Sequence, residues 1–221
     1  MPELVIYRSK EMKAAFIYMA SGFGSRFGGN KLLEELEGKP LYRHGLDTLR
    51  KAADLIRREK GWQIRLIVVS QYREILEEAA REGLQAVYNP ESARGITASI
   101  AYGTRAAEEG TDIFLYFVAD QPRLRPETTA GFLKAFADSG KTMGCLAWNG
   151  RRGNPAAFRS CWRSELLSLQ GDKGGRQLMA RYPDEVWLYP ASEEELWDVD
   201  HREDLEKNAG EETRDGSRTE E

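Results

Sequence analysis

AAFIYMA, Ala14 to Ala20, runs straight into SGFGSRFGGNKLL, Ser21 to Leu33. A short, wholly apolar run followed at once by glycines reads as a buried strand feeding a βα turn. Working outward, Pro40 near the first helical position opens a helical pattern, with Leu41, Leu49, Ala52, Leu55 and Ile56 on one face. Ile64 to Val69, Gln85 to Tyr88 and Ile113 to Ala119 read as further strands, the second stopped by Asn89-Pro90. Tyr72 to Glu82, Ile96 to Glu108 and Pro126 to Ala137 read as helices. Strands apolar on both faces, alternating with helices, predict a parallel sheet in an α/β layer fold.

The second half is less regular. Met143 to Trp148, Ala156 to Phe158 and Glu185 to Tyr189 look like strands. Trp162 to Leu169 and Arg176 to Tyr182 look like helices, and Asn154-Pro155 looks like a turn. Leu4 to Tyr7 reads as an edge strand or as part of a loose extension covering residues 1–12. Residues 208–221 carry five acids and two bases without periodicity, which predicts a disordered acidic tail.

The chain has 221 residues, 41% of them hydrophobic, enough for a sizeable core in one large domain or two small ones. Its longest apolar runs have seven residues, against about 20 needed to cross a bilayer, so no membrane span is expected. The first twenty residues lack the pattern of a secretion signal. The two cysteines, Cys145 and Cys161, then read as free thiols in a reducing compartment, and the expected location is cytoplasmic. The net charge of −4 argues against a nucleic-acid partner.

The glycine-rich stretch carries the strongest chemical signal. Gly22, Gly24, Gly28 and Gly29 permit backbone turns, and successive amides in such a loop form an anion-binding concavity. Arg26 and Lys31 add fixed positive charge, which suits a polyphosphate. It is not a Walker loop, because no Ser or Thr follows the lysine, and Phe27 breaks a GxGxxG pattern. The alternative is a plain βα turn with two solvated cations. The position favours a ligand, since doubly wound sheets bind at the carboxyl ends of their strands.

Asp120 follows a fully apolar strand. It reads either as a Mg²⁺ ligand, since magnesium takes few protein carboxylates and keeps waters and phosphates, or as a loop cap. Asp198 and Asp200, two apart, share a face if extended. One of them could face a metal while the other caps the helix near His201; Asp200 with Glu203 makes an approximate capping box. His44 and His201 read as structural or solvated, and Trp148 and Trp162 as core. Lys173 and Arg176, three apart, read as one helical face, with Gly171 and Asp172 near its N-terminus.

Five segments in order resemble the MobA-like NTP transferases, on the side of the molybdenum cofactor cytidylyltransferases: MASGFGSRFGGNKLL, NPESARGITASI, ADQP, RRGNPAAF with GDKGGRQLM, and DVDHREDL. The resemblance runs from about Lys13 to Lys207. It implies a single Rossmann-like three-layer α/β domain with a mostly parallel sheet, of the nucleotide-diphospho-sugar transferase type, over residues 13–207. It implies Mg²⁺-dependent attack of a molybdopterin phosphate on the α-phosphate of CTP, releasing pyrophosphate. By the same resemblance, Ala20, Ser21, Gly22, Phe23, Gly24, Ser25, Arg26, Lys31, Asn89, Gly95, Ser99 and Asp120 would hold the nucleotide. Arg26, Lys31 and Asp120 would serve catalysis, and Asp120 and Asp200 would hold the metal. Asn154, Pro155, Gly171, Asp172, Lys173 and Arg176 would bind the acceptor.

Ser21 stands where the cytidylyl branch usually carries alanine and the guanylyl branch glycine, and Gly24 replaces a serine. A guanylyltransferase using GTP is therefore the rival within the family. Outside it stand a nucleotidyltransferase acting on a different small-molecule phosphate and a non-catalytic nucleotide-binding accessory protein for molybdoenzyme maturation. A molybdoenzyme or its maturation chaperone is the implied protein partner.

Overall fold

Strand β1 (Lys13–Ala20) lies inside the sheet, buried on both sides, as its two apolar faces require. Ala14, Phe16, Tyr18 and Ala20 enter one core, and Ala15, Ile17 and Met19 enter the other. That alternation is the two-residue period of a strand. The structure, a computed structural model, describes residues 11–22, 27 and 29–209, with the backbone alone for 206–209. The expectations for Leu4 to Tyr7, for Phe23, Gly24, Ser25, Arg26 and Gly28, and for the tail beyond Ala209 lie outside these residues.

After β1 comes a two-residue hairpin, β2 (Glu35–Leu36) and β3 (Lys39–Pro40), then α1 (Leu41–Lys60) and β4 (Gln63–Ser70). Next are α2 (Arg73–Arg81), β5 (Gln85–Tyr88), α3 (Ile96–Ala106) and β6 (Ile113–Val118). The second half holds α4 (Pro126–Asp138), β7 (Met143–Trp148), β8 (Arg151–Arg159), α5 (Arg163–Ser168), α6 (Arg176–Arg181), β9 (Val186–Pro190) and α7 (Arg202–Ala209).

Among the described residues the main sheet has seven strands in the order β5-β4-β1-β6-β8-β7-β9. Every pairing from β5 to β6 is parallel; β8 runs antiparallel between β6 and β7, and β9 is parallel to β7. Helices α1, α2 and α4 pack on one face, and α3, α5 and α6 on the other. This is a single three-layer α/β domain with a mostly parallel sheet.

The chain builds outward from β1 to β4 and β5, then crosses back through α3 to β6 on the other side of β1. Right-handed crossovers put α3 on the face opposite α1 and α2. The carboxyl ends of β1 and β6 therefore flank the point where strand order reverses, the place where such sheets bind ligands. α3 approaches β1 closely through Gly103, where an added Cβ would lie 2.3 Å from Ile17 Cγ2.

Several expectations are corrected. Pro40 is the N-cap of α1, not its first helical residue. Asn154-Pro155 is not a turn: it is a cis peptide inside β8, at the irregularity where Cys145 pairs Ala156 but Ala147 pairs Arg152. Proline fits there because a bulge leaves its position out of the ladder. The true turn is Asn149-Gly150, with φ of 46° and 78°, a two-residue hairpin connection. Lys173 precedes α6 and shares no helical face with Arg176. Asn208 and Ala209, expected in the tail, continue α7.

Candidate active site

Ser21 and Gly22 follow β1, and Ala119 and Asp120 follow β6. Opposite them, Gly95 and Ser99 open α3. Together with Lys31 they line a cavity of about 240 Å³ at the switch point. The Ser21 hydroxyl donates to the Val69 carbonyl (3.2 Å). Ser99 is buried and its hydroxyl accepts from Asn89 Nδ2 (3.1 Å).

Lys31 begins a short 3₁₀ turn capped by the Asn30 side chain, which accepts from the Leu32 amide. Its ammonium is largely buried. It donates to Asp120 Oδ2 (2.8 Å) and to the Val199 carbonyl (2.7 Å), and lies 3.9 Å from Asp200 Oδ1. The segment Asp198 to Asp200 is pinned here because the Val199 amide donates to the Asp120 carbonyl (2.9 Å). Val199 is buried in the core, with the two aspartates on either side of it in sequence. Burial, then the neighbouring Asp120 carboxylate, pushes the Asp198 carboxyl up to about 6.

The expected capping box does not form. Asp204 Oδ2 accepts from the amides of Asp200 and His201, so Asp204 closes this helix start and the Asp200 carboxylate turns towards Lys31. Among the described residues no three acidic, imidazole or thiol side chains converge as a metal cage. Asp120 and Asp200 nevertheless supply oxygen donors only, facing one lysine. Such a sparse oxygen set fits magnesium, which relies on waters and substrate phosphates for its remaining ligands.

A second cavity of about 780 Å³ adjoins the first, and both are lined by Met19 and Ile96. Asn154, Asp172, Lys173 and Arg176 line it, over an apolar floor that includes Tyr116 and Phe158. Cys145 also lines it, and burial pushes its thiol up to about 11. A third space, about 240 Å³, joins the second at Arg152 and Arg176 and holds Asp198 and Asp200.

Not every expected residue faces these spaces. Ala20 is wholly buried in the core, and Asn89 is buried behind Ser99. Pro155 and Gly171 line none of the three cavities, and Asp200 lines the third rather than the first. Trp148, expected in the core, is exposed at the rim of the third space. Trp162 is half-buried against Tyr182. His44 lies outside the cavities, 2.8 Å from the Leu36 carbonyl, and burial lowers its pKa. Met19 and Ser92 also line the first cavity; both lie in segments that carry the family resemblance, but neither is among the site residues it implies. The strand period puts Met19 on the α3 face, while Ser92 is marked only through its segment, NPESARGITASI.

Residues 16–186 match the family described as MobA-like NTP transferase domain. A probable molybdenum cofactor guanylyltransferase of Thermococcus gammatolerans is 29% identical over 199 residues, 86% of this chain and 95% of that protein. A bifunctional GlmU protein of Azorhizobium caulinodans is 28% identical over 131 residues, 58% of this chain, and the match spans only 28% of that protein's length. The solved structure of Rv0371c from Mycobacterium tuberculosis superposes with a TM-score of 0.71 at 21% identity, covering 89% of this chain and 97% of that one. The match covers most of the sheet and both strand ends that border the first cavity, so the chain belongs to the MobA-like NTP transferase family and is a nucleotidyltransferase.

Proposed function

We propose that the protein transfers CMP from CTP to the phosphate of a molybdopterin-type acceptor, with Mg²⁺ as cofactor, and releases pyrophosphate. One cluster carries this assignment: the Lys31 ammonium between Asp120 and Asp200, on the lining of a small cavity that opens beside a larger one. The small cavity would take the nucleotide, and the larger one the acceptor.

The acceptor phosphate attacks the α-phosphorus; a new P–O bond forms and the bond to the β-phosphate breaks. A phosphate is already ionised at neutral pH, so the step needs no general base. That suits these three cavities, whose described walls hold no histidine. Lys31 would offset charge growing on the α-phosphate and the leaving pyrophosphate. Asp120 and Asp200 would hold the cation, which supplies further charge neutralisation to the phosphate oxygens when bound. Arg152 and Arg176 stand where the second and third spaces meet and would hold the acceptor.

The choice of CTP rests on Asp120-Gln121-Pro122 and on the GDKGGR segment, both of which resemble the cytidylyl branch. A second nucleotide, GTP, is favoured by the name of the Thermococcus relative. The test supplies each nucleotide with Mg²⁺ and molybdopterin, and reads pyrophosphate and the dinucleotide product by mass. Product from CTP alone is expected. Product from GTP alone would transfer the assignment to the guanylyl branch, and no product from either would contradict it.

A further inference from the structure

The last residue of β4 and the two that follow it each hold one carbonyl, in order, of the last residue of β1 and the two that follow it. Ser70 Oγ donates to the Ala20 carbonyl (2.7 Å), Gln71 Nε2 to the Ser21 carbonyl (2.9 Å) and Tyr72 Oη to the Gly22 carbonyl (2.8 Å). The offset is 50 positions in every case. An extended strand would point successive carbonyls to alternate sides. β1 ends at Ala20, and beyond it the Ser21 and Gly22 carbonyls are both held by this same scaffold.

The peptide unit is planar and trans, so a carbonyl fixed in one direction sends the following amide in the other. Holding the Ala20 and Ser21 carbonyls therefore turns the Ser21 and Gly22 amides away from β4. Both residues line the first cavity. Successive amides aimed the same way make a concavity for anions.

The scaffold is itself fixed. Gln71 Oε1 accepts from the Ser92 hydroxyl (2.9 Å), which sets the direction of its amide group and ties it to the other wall of the cavity. The Tyr72 amide donates to Ser70 Oγ (3.0 Å), and the Asn89 amide donates to the Ser70 carbonyl (2.9 Å).

We propose that Gln71 and Tyr72 are positioning residues for the triphosphate: Gln71, by holding the Ser21 carbonyl, aims the Gly22 amide at the nucleotide's phosphates, and Tyr72, by holding the Gly22 carbonyl, fixes the peptide on the other side of Gly22 so that this amide keeps its direction. The role rests on assigning the first cavity to a nucleoside triphosphate.

Tyr72→Phe removes one donor, and Gln71→Met removes one donor and the acceptor of the Ser92 hydroxyl; both keep nearly the same shape. The probe is inorganic triphosphate with Mg²⁺, titrated by calorimetry on the full chain, alongside Tm and steady-state KM values. Each variant is expected to bind triphosphate about tenfold more weakly, near the upper end for one hydrogen bond. KM for the nucleotide should rise in step, while the acceptor KM holds and Tm falls by no more than a few degrees. A purely structural role would move both KM values together with Tm, which would overturn the proposal. Unchanged triphosphate affinity in both variants would overturn it as well. If the wild-type protein itself fails to bind triphosphate, the nucleotide assignment of the cavity falls, and this role falls with it.

Discussion

The two halves of the sheet present their functional residues in different ways. From β5 to β6 every strand is parallel, and Ser21, Gly22 and Asp120 stand directly after buried apolar runs. From β8 to β9 the direction changes, β8 is broken by a bulge, and Lys173 and Arg176 sit on or beside a six-residue helix. A strand end inside a parallel sheet is fixed by neighbours on both sides. The second half is fixed partly by leaning on the first. Asp172 packs against Gly95, where an added Cβ would meet its carboxylate oxygen at 1.8 Å, and Gly174 packs against Ile96 and Ile100. The wall proposed for the acceptor is thus held in place by α3, whose start lines the first cavity. Changes in the parallel half should strike the chemistry, and changes on the wall formed by Lys173 and Arg176 should strike acceptor binding.

The largest expected effect is that of Asp120→Asn, which should lower Mg²⁺-dependent transfer by about a thousandfold or more while the fold holds. Full activity would remove Asp120 from the metal site and erase the contrast between the halves. Lys31→Ala should lower kcat by about 10²- to 10³-fold, the scale of one lost preorganised charge donor. Rapid-quench measurement of the transfer step would check this, and an unchanged rate would return Lys31 to a structural role.

Gly95→Ala tests the seam between the halves. The glycine has φ of 84°, and its missing side chain makes room for Asp172. The variant should lose about 1–3 kcal/mol in denaturant unfolding and weaken both substrates. Loss of one substrate alone would show that the halves are independent. Arg176→Ala should raise the acceptor KM by about tenfold, as for one charged hydrogen bond, and leave the nucleotide KM unmoved. A raised nucleotide KM would break the division of labour.

How legible these halves were follows from the same difference. Ile113 to Ala119 is apolar on both faces, so the strand and the placing of Asp120 at its end could be read directly. Gln85 to Tyr88 was bounded by Asn89-Pro90 in the sequence, and the structure ends β5 there. β8 was found only over Ala156 to Phe158, because Arg151 to Asn154 are polar and gain their strand geometry from pairing, not from pattern. The two-residue strands β2 and β3 are too short to carry any period. Asp200 with Glu203 matched a capping box, but the Lys31 ammonium competes for that carboxylate and Asp204 serves the amides instead. Gln71 looks like an ordinary loop residue in the sequence, and Ser92 is one unmarked residue of NPESARGITASI. Their importance lies in a hydrogen bond across 21 positions, which no local pattern records.

The most direct test of the central claim, that a nucleoside triphosphate binds between the end of β1 and the start of α3, is thermal stabilisation by CTP, GTP, ATP and UTP, each with Mg²⁺. It should be run on the wild-type protein and on Asp120→Asn. At 100 times its Kd a ligand adds about 2.7 kcal/mol, a shift of several degrees for a chain of this size. The expected result is a clear rise with CTP that shrinks in the variant. No shift with any of the four nucleotides, in protein shown to be folded, would contradict the assignment of the cavity.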